Sequence, residues 1–263
     1  MPLTLPETDD TVLASSPLEV VVCQVRTEQN LVLSDGDTGL KIHEDLGGRE
    51  IYPWIEPQQT LAAQVELGPG GLTSVGGAGL PSRGWRLKSG DGTWIVSLMP
   101  DFVGLETTAY TTWRGEFRER MLALIAAVTK HISPSIEQRV GLRYVNRIVE
   151  PDRKSPQDWI GIIANELLGP VADSFWSSGI SNYQQQLDLD VGNEERCLVR
   201  HGFIPLQSGD VGGYVLDFDV YRQMPRRFDD SEISASLDRF NRIALALFHR
   251  SLADEYLSSL RTR

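Results

Sequence analysis

Cysteine, histidine and long apolar runs are all scarce in this sequence, and each scarcity excludes a class of protein. The 263 residues include two cysteines, Cys23 and Cys197, so no disulfide framework is expected. Both cysteines lie in apolar, strand-like stretches, where we expect small buried side chains. The four histidines are not within metal-ligand spacing of one another. No apolar run approaches the roughly 18 residues that a membrane-spanning helix needs.

Recognisable catalytic motifs are missing as well. The sequence contains no Gly-x-Ser-x-Gly nucleophile elbow. Its most glycine-dense segment, residues 68–79, lacks the Gly-Lys-Ser/Thr ending of a P-loop, so we interpret it as a surface loop. These absences argue against an enzyme, and no cofactor is expected. A catalytic triad whose residues come together only in the folded protein is not excluded by these absences.

Negative charge dominates the composition. Acidic residues number 36 and basic residues 25, which gives a formal net charge of −11. Residues 1–50 hold ten acids and three bases and contribute −7 of that total. Such a chain repels phosphate backbones and anionic lipids, so we expect neither non-specific nucleic-acid binding nor membrane binding. The acidic N-terminal part could instead dock on a partner protein with a basic surface.

The order of sequence patterns favours an α+β fold. Short strand-like runs outnumber long helical ones, which predicts a mainly antiparallel sheet with long amphipathic helices packed on it. One helix is expected over about 113–132, and another from Asp229-Asp-Ser-Glu232 to about residue 260. Residues 17–150 and 151–263 each contain a hairpin, a strand and a long helix. This suggests two related α+β lobes, packed as one compact unit.

The first residues differ from the rest of the chain. Residues 1–16 are polar and include Pro2 and Pro6, so they are predicted to form a mobile N-terminal tail. They have neither the basic n-region nor the apolar segment of a secretory signal. A cytoplasmic location is therefore expected.

A run of alternating residues from 139 to 148 is the first candidate ligand site. In a strand, Arg139, Arg143 and Arg147 share one face, and the apolar side chains share the other. The three arginines could bind a phosphate or carboxylate ligand, or they could pair with acids on a neighbouring strand. Asn146 falls on the apolar face. We expect its buried amide to bond backbone groups of a neighbouring loop, with a ligand contact as the alternative.

Two alternating acidic segments form the second candidate site. Asp188 and Asp190 share one strand face, and so do Asp217 and Asp219. If the two strands were neighbours, four carboxylates could hold Mg²⁺. The alternatives are that the acidic faces are solvated or that they lie beside the arginine row.

Several segments together carry a resemblance to a known group of proteins. They are Pro17-Leu-Glu-Val-Val21, Tyr52-Pro53, Trp94-Ile-Val-Ser-Leu98, Tyr110-x-x-Trp113 with Phe117, Arg143-Tyr-Val-Asn-Arg-Ile148, Leu216-Asp-Phe-Asp-Val220 and Phe248. From residue 17 onward the chain resembles a sporadically distributed family of uncharacterised bacterial proteins of about this length, with no established activity. The resemblance implies a bacterial origin but no site. A patchy distribution suits mobile-element, defence or toxin–antitoxin roles.

Two functions follow as predictions. The first is a non-catalytic cytoplasmic protein that binds another protein, as an immunity, antitoxin-like or defence-system component; a homo-oligomer is compatible with it. The alternative is a module that binds a nucleotide or another anion through Arg139, Arg143, Arg147 and Asn146. In its enzymatic version, Asp188, Asp190, Asp217 and Asp219 hold Mg²⁺.

Overall fold

The computed structural model describes residues 2–7, 12–34, 36–60, 63–68, 71–76, 82–153, 155–204 and 213–262. The strands are β1 (Leu18–Thr27), β2 (Trp54–Thr60), β3 (Ala63–Gly68), β4 (Gly71–Gly76), β5 (Ser82–Lys88), β6 (Trp94–Met99), β7 (Phe102–Thr107), β8 (Ile136–Ile148), β9 (Tyr183–Gly192), β10 (Glu195–Ile204), β11 (Gly213–Arg222) and β12 (Arg226–Arg227). The helices are α1 (Gly36–Asp45), α2 (Gly48–Ile51), α3 (Arg118–His131), α4 (Asn165–Leu168), α5 (Ser174–Ser177), α6 (Asp230–Ser251) and α7 (Asp254–Leu260).

One ten-stranded sheet organises the molecule. Its strand order is β2-β5-β6-β7-β1-β8-β11-β10-β9, with β12 paired to β8, and β3 and β4 form a separate pair. Every pair of neighbours is antiparallel. The predicted α+β class with an antiparallel sheet is confirmed.

The two faces of the sheet differ in what covers them. On β1, Val21, Cys23 and Val25 are fully buried, whereas the alternate residues are partly exposed. The buried side chains join one apolar core with the inward residues of the helices, among them Met121 of α3 and Phe240 of α6. We call this side the helix face. The opposite side, which carries Arg139 and Arg143, is called the arginine face.

A capping side chain precedes each of the two longest helices; α6 begins where the sequence predicts, whereas α3 begins at Arg118, five residues after its predicted start. The Thr112 hydroxyl accepts a hydrogen bond from the Gly115 amide at 3.1 Å, and a wide turn over Trp113–Phe117 leads into α3. The Asp229 carboxylate accepts bonds from the amides of Ser231 and Glu232 at 2.9 and 3.1 Å, which starts α6. These side chains satisfy amides that have no partner within the helix.

The end predicted for the last helix, near residue 260, is wrong. Helix α6 stops at Ser251, and α7 starts three residues later. Between them the chain pairs with an earlier segment: the Ala253 amide donates to the Ile162 carbonyl, and the Ala164 amide donates to the Ser251 carbonyl, each at 2.9 Å. This strand-like pairing replaces the helical hydrogen bonds and breaks the helix.

The N-terminal residues contact the rest of the molecule. The Leu3 amide donates to the Asp190 carbonyl at 2.8 Å, and the Ser15 amide donates to the Leu260 carbonyl at 3.0 Å. Leu5 and Leu13 pack against the core. The segment predicted as a mobile tail is therefore attached at both of its described parts.

The glycine-dense segment holds regular structure. Gly71–Gly76 forms β4 and pairs with β3, so interpreting this part as a loop is wrong. Residues 69, 70 and 77–81 lie outside the described ranges. Within those ranges, no helix combines the length and apolarity needed to cross a bilayer.

Candidate functional site

The predicted arginine row and one of the two aspartate pairs lie side by side. Strand β8 pairs with β11 so that Arg143 is opposite Asp219, and Arg147 is opposite Val215. Facing residues of paired strands point to the same side, so Asp217 and Asp219 share the arginine face with Arg139, Arg143 and Arg147. Of the arrangements that the sequence leaves open, the structure contains the one that sets arginines beside aspartates.

A buried ion pair occupies the middle of this face. The Nε and Nη2 atoms of Arg143 donate to the two carboxylate oxygens of Asp217, both at 2.7 Å. Arg200 on β10 donates to the same carboxylate at 3.2 Å, and the Asp217 side chain has no exposed surface. Burial alone would lower the pKa of Arg143, but the Asp217 carboxylate outweighs it and the pKa is raised. Arg143 therefore has an internal counter-ion.

A second pair lies one step further along the strands. Arg139 Nη2 donates to both carboxylate oxygens of Asp219, at 2.8 and 2.9 Å. Its guanidinium also sits 4.9 Å from the ring centroid of Tyr221. To reach them it crosses Gly141, where a Cβ atom would collide with the guanidinium group. Arg139 and Arg143 thus both fill protein-internal roles.

The other aspartate pair lies apart. Strand β10 separates β9, with Asp188 and Asp190, from β11, with Asp217 and Asp219. Asp188 pairs with Arg196 at 2.9 Å, and both side chains are about half exposed. No cluster of three or more carboxylate, histidine or cysteine groups suited to a metal ion occurs among the described residues. The Mg²⁺ alternative on these four aspartates finds no support here.

Asn146 lies on the helix face, away from the three arginines. It is 5% exposed, and its Nδ2 donates to the Leu216 carbonyl at 3.2 Å. The expected backbone partner exists, but it belongs to the paired strand β11 and not to a loop. Because Asn146 and the arginines point to opposite sides of the sheet, the four residues do not line one pocket.

A buried histidine forms a hydrogen-bond network that the sequence patterns do not reveal. His201 on β10 is fully buried, with Nε2 3.1 Å from Gln185 Oε1 and Nδ1 2.8 Å from the Tyr214 hydroxyl. An amide oxygen only accepts, so Nε2 carries the proton and Nδ1 accepts from Tyr214. Burial lowers the pKa of His201 to about 4. At neutral pH this histidine is therefore uncharged.

A shallow, mostly apolar groove of about 330 Å³ lies beside the junction between α6 and α7. Ile160, Ile163 and Leu252 contribute to its lining, and at its rim Arg250 pairs with Glu166 at 2.7 Å. Asn165 and Asp254 also line the groove, while the charged groups of Arg250 and Glu166 are engaged with each other. We assign no ligand to this groove.

Two aromatic side chains of α5 extend into solvent. Phe175 is 75% exposed and Trp176 is 61% exposed, and their rings meet edge to face with centroids 5.2 Å apart. The Asp173 carboxylate caps the helix by accepting bonds from both of their amides, at 2.9 and 3.2 Å. The cap and the ring contact fix the pair in an outward position. An exposed aromatic doublet of this kind is typical of binding hot spots.

An outer strand of the sheet follows α5 in the chain. Six residues separate Trp176 from Tyr183, the first residue of β9. β9 is the last strand in the sheet order and pairs only with β10 among the described strands. At its far end the N-terminal segment attaches through the bond from Leu3 to Asp190. We call the outward side of β9 the β9 edge, and α5 with the β9 edge forms the candidate interaction surface.

Neither protein-family models nor curated proteins gave a match when compared with this chain.

Proposed function

We propose that this protein is a non-catalytic component that binds another protein through the candidate interaction surface. The observation that carries the proposal is the exposed pair Phe175 and Trp176 on α5. Tryptophan is enriched among the residues that supply most binding energy in protein interfaces. Covering two such rings removes a large apolar area from water, at roughly 25 cal/mol per Å².

Charge adds to this proposal. The chain has a net charge of −11, and its N-terminal 50 residues hold −7 of it, so a partner with a basic surface would be attracted at long range. The arginines that could have attracted an acidic partner are largely neutralised. Arg139 and Arg143 pair with Asp219 and Asp217. A basic partner is therefore favoured over an acidic one.

The biological setting belongs to the same proposal. A cytoplasmic bacterial immunity, antitoxin-like or defence-associated component would bind its partner without chemistry of its own. A nucleotide or anion module is a weaker alternative, because Arg139 and Arg143 already have carboxylate partners at 2.7–2.9 Å.

A pull-down from the host at low and at high salt tests the proposal. The baits are the wild type, Phe175→Ser/Trp176→Ser, and the control Trp54→Ser, which alters a 59% exposed tryptophan on the opposite outer strand, β2. We expect one stoichiometric partner that Phe175→Ser/Trp176→Ser loses and Trp54→Ser retains. Failure to recover a stoichiometric partner at either salt concentration would count against a protein-binding function.

We further propose that the two halves are related lobes that share the sheet, with α3 and α6 as their amphipathic helices. In residues 17–150 the run β5-β6-β7 leads to α3, and in residues 151–263 the run β9-β10-β11 leads to α6. Native-state hydrogen exchange tests the division. We expect the two sets of amides to open as separate units, and a single cooperative opening of both would contradict it.

A further inference from the structure

We propose that the β9 edge receives an extended segment of the partner as an additional strand, and that this segment alternates basic and apolar side chains. The inference rests on the proposed protein-binding function and specifies how and with what chemistry the partner binds. Strand addition uses main-chain hydrogen bonds for affinity and alternate side chains for specificity.

The backbone of β9 offers the required hydrogen-bonding groups. The Asp190 carbonyl accepts the Leu3 amide, so the backbone groups of Asp190 point away from β10. Along an antiparallel strand, residues whose backbone groups point outward alternate with residues whose backbone groups point inward. The backbone groups of Asp188 and Gln186 therefore point outward, like those of Asp190. Among the described residues, the bond to Leu3 is the one that joins an outward group of β9 to the backbone of another segment. The outward groups of Asp188 and Gln186 form a ladder that a further strand would complete.

The opposite outer strand is built differently. β2 carries Pro57 in its middle, and proline lacks the amide hydrogen that strand pairing uses. β9 has ten residues without a proline, and beyond a register shift next to the turn Asn193–Glu194 it pairs regularly with β10 from Asp190 to Tyr183. Natural proteins block edges that must stay unpaired with proline, bulges or charge. Of the two edges, β9 keeps all its backbone amides for pairing, and the charges of Asp188 and Asp190 restrict that pairing to a basic strand.

Side chains on β9 define which segment fits. On one side Gln184, Gln186, Asp188 and Asp190 alternate, and on the other Leu187 and Leu189 are half-buried against the core. A strand laid beside them places one row of side chains next to the aspartates and the other next to the leucines. Basic residues suit the first row and apolar residues the second. Asp188 is half exposed even with Arg196 beside it, so a second cation can reach it.

A second copy of this chain fits less well. Pairing β9 with β9 of another molecule would bring Asp188 and Asp190 from both chains onto one side of the joined sheet, and like charges across strands are destabilising. The acidic row thus opposes self-association while it attracts a basic segment. This selectivity favours a different protein as the occupant.

The N-terminal segment already uses one end of this edge. Pro2 lies beside Gly192, Leu3 donates to Asp190, and Leu5 packs against the core. Pro2 and Pro6 have no amide hydrogen, so the segment pairs poorly as a strand. A partner strand would extend from this end along Asp188 and Gln186, and deletion of residues 2–7 should tighten its binding.

The test uses two synthetic peptides, an acetylated alternating Lys-Val decamer and the matching Glu-Val decamer, with binding followed by calorimetry. Gln186→Pro removes an outward amide that β10 does not use, and Gln186→Ala is its control. We expect the Lys-Val peptide to bind the wild type and Gln186→Ala with equal affinity, and to bind Gln186→Pro about tenfold more weakly. The Glu-Val peptide should not bind. Equal binding of both peptides, or equal binding to Gln186→Pro, would overturn the inference.

A charge reversal keeps the test decisive if Gln186→Pro fails to fold. Asp188→Lys/Asp190→Lys should switch the preference from the Lys-Val to the Glu-Val peptide, and an unchanged preference refutes the inference. If the wild-type protein forms a dimer in sedimentation experiments and the charge reversal abolishes that dimer, the occupant of the β9 edge is a second copy of this chain. That result would also refute the inference. In the host pull-down, a partner lost with Phe175→Ser/Trp176→Ser but retained with Gln186→Pro would uphold the proposed function and reject the β9 edge.

Discussion

Acidification between pH 7 and pH 5 should destabilise this protein through one buried side chain, His201. Its imidazole is fully buried and neutral, donates from Nε2 to Gln185, and accepts at Nδ1 from Tyr214. A proton added at Nδ1 would remove that acceptor and place a charge where water cannot solvate it. The unfolded chain meets no such obstacle and takes up the proton at the ordinary pKa of histidine.

The size of the effect follows from the two pKa values. Burial lowers the pKa of His201 from 6.5 to about 4 in the folded protein. The unfolded state therefore binds more protons between these limits, so stability is complete above pH 6.5 and falls as the pH decreases towards 4. At 1.36 kcal/mol per pKa unit the full loss is about 3 kcal/mol, of which about 2 kcal/mol is lost by pH 5.

Urea unfolding at pH 7, 6 and 5 measures the effect, with His201→Gln as the comparison. The variant should be less stable at pH 7, because a packed ring is lost, but its free energy of unfolding should change much less with pH. The difference between the two proteins should shrink by about 2 kcal/mol from pH 7 to pH 5. Parallel curves, or an NMR titration that places the His201 pKa near 6.5, would refute the reasoning.

Three further substitutions test other contacts. Asn146→Ala should lower the free energy of unfolding by about 1 to 3 kcal/mol, because the side-chain hydrogen bond to the Leu216 carbonyl is lost. Partner binding at saturation should not change, and equal stability with abolished binding would contradict this. Arg143→Met should cost about 3 kcal/mol in urea unfolding, since the buried Asp217 loses its bidentate partner, and adding Asp217→Asn should restore part of that loss; no restoration would show that the pair does not act together. Glu194→Gly should raise the melting temperature, with a gain of about 1 kcal/mol, because Glu194 has a φ of 61° that glycine adopts without strain; a lower melting temperature would mean that the Glu194 side chain matters more than its backbone.

The division of β8 into two faces could be predicted from sequence because it depends on a local rule. Side chains alternate along a strand, so Arg143 and Leu142 must point to opposite sides whatever the strand pairs with. The partners of Arg143 could not be predicted. Asp188 and Asp217 occur in nearly identical alternating segments. Only the strand order places the Asp217 segment on β11, next to β8, and the Asp188 segment on β9, which β11 and β10 separate from β8. That order is set by contacts between residues far apart in sequence.

The features that sequence reasoning missed are also non-local. His201 stands in an unremarkable strand pattern, and its partners Gln185 and Tyr214 become visible only when β9, β10 and β11 are aligned. The break after Ser251 arises from pairing with residues 162–164, which no helix propensity encodes. A weak signal did exist for α5. Phe175-Trp176 lies between Pro170 and Gly179 without the apolar periodicity of a core helix, which marks it as outside the core.

The position of β1 and β8 at the centre of the sheet has a consequence for synthesis on the ribosome. β1 pairs with β7 on one side, but its other side stays open until β8, about 110 residues later, has emerged. One side of β8 likewise stays unpaired until β11, which follows β9 and β10 in the chain, has emerged. The nascent polypeptide therefore carries an unpaired apolar strand for most of its translation. Chains that stop between β8 and β11 expose such an edge permanently, and they should aggregate or depend on chaperones more than the finished protein does.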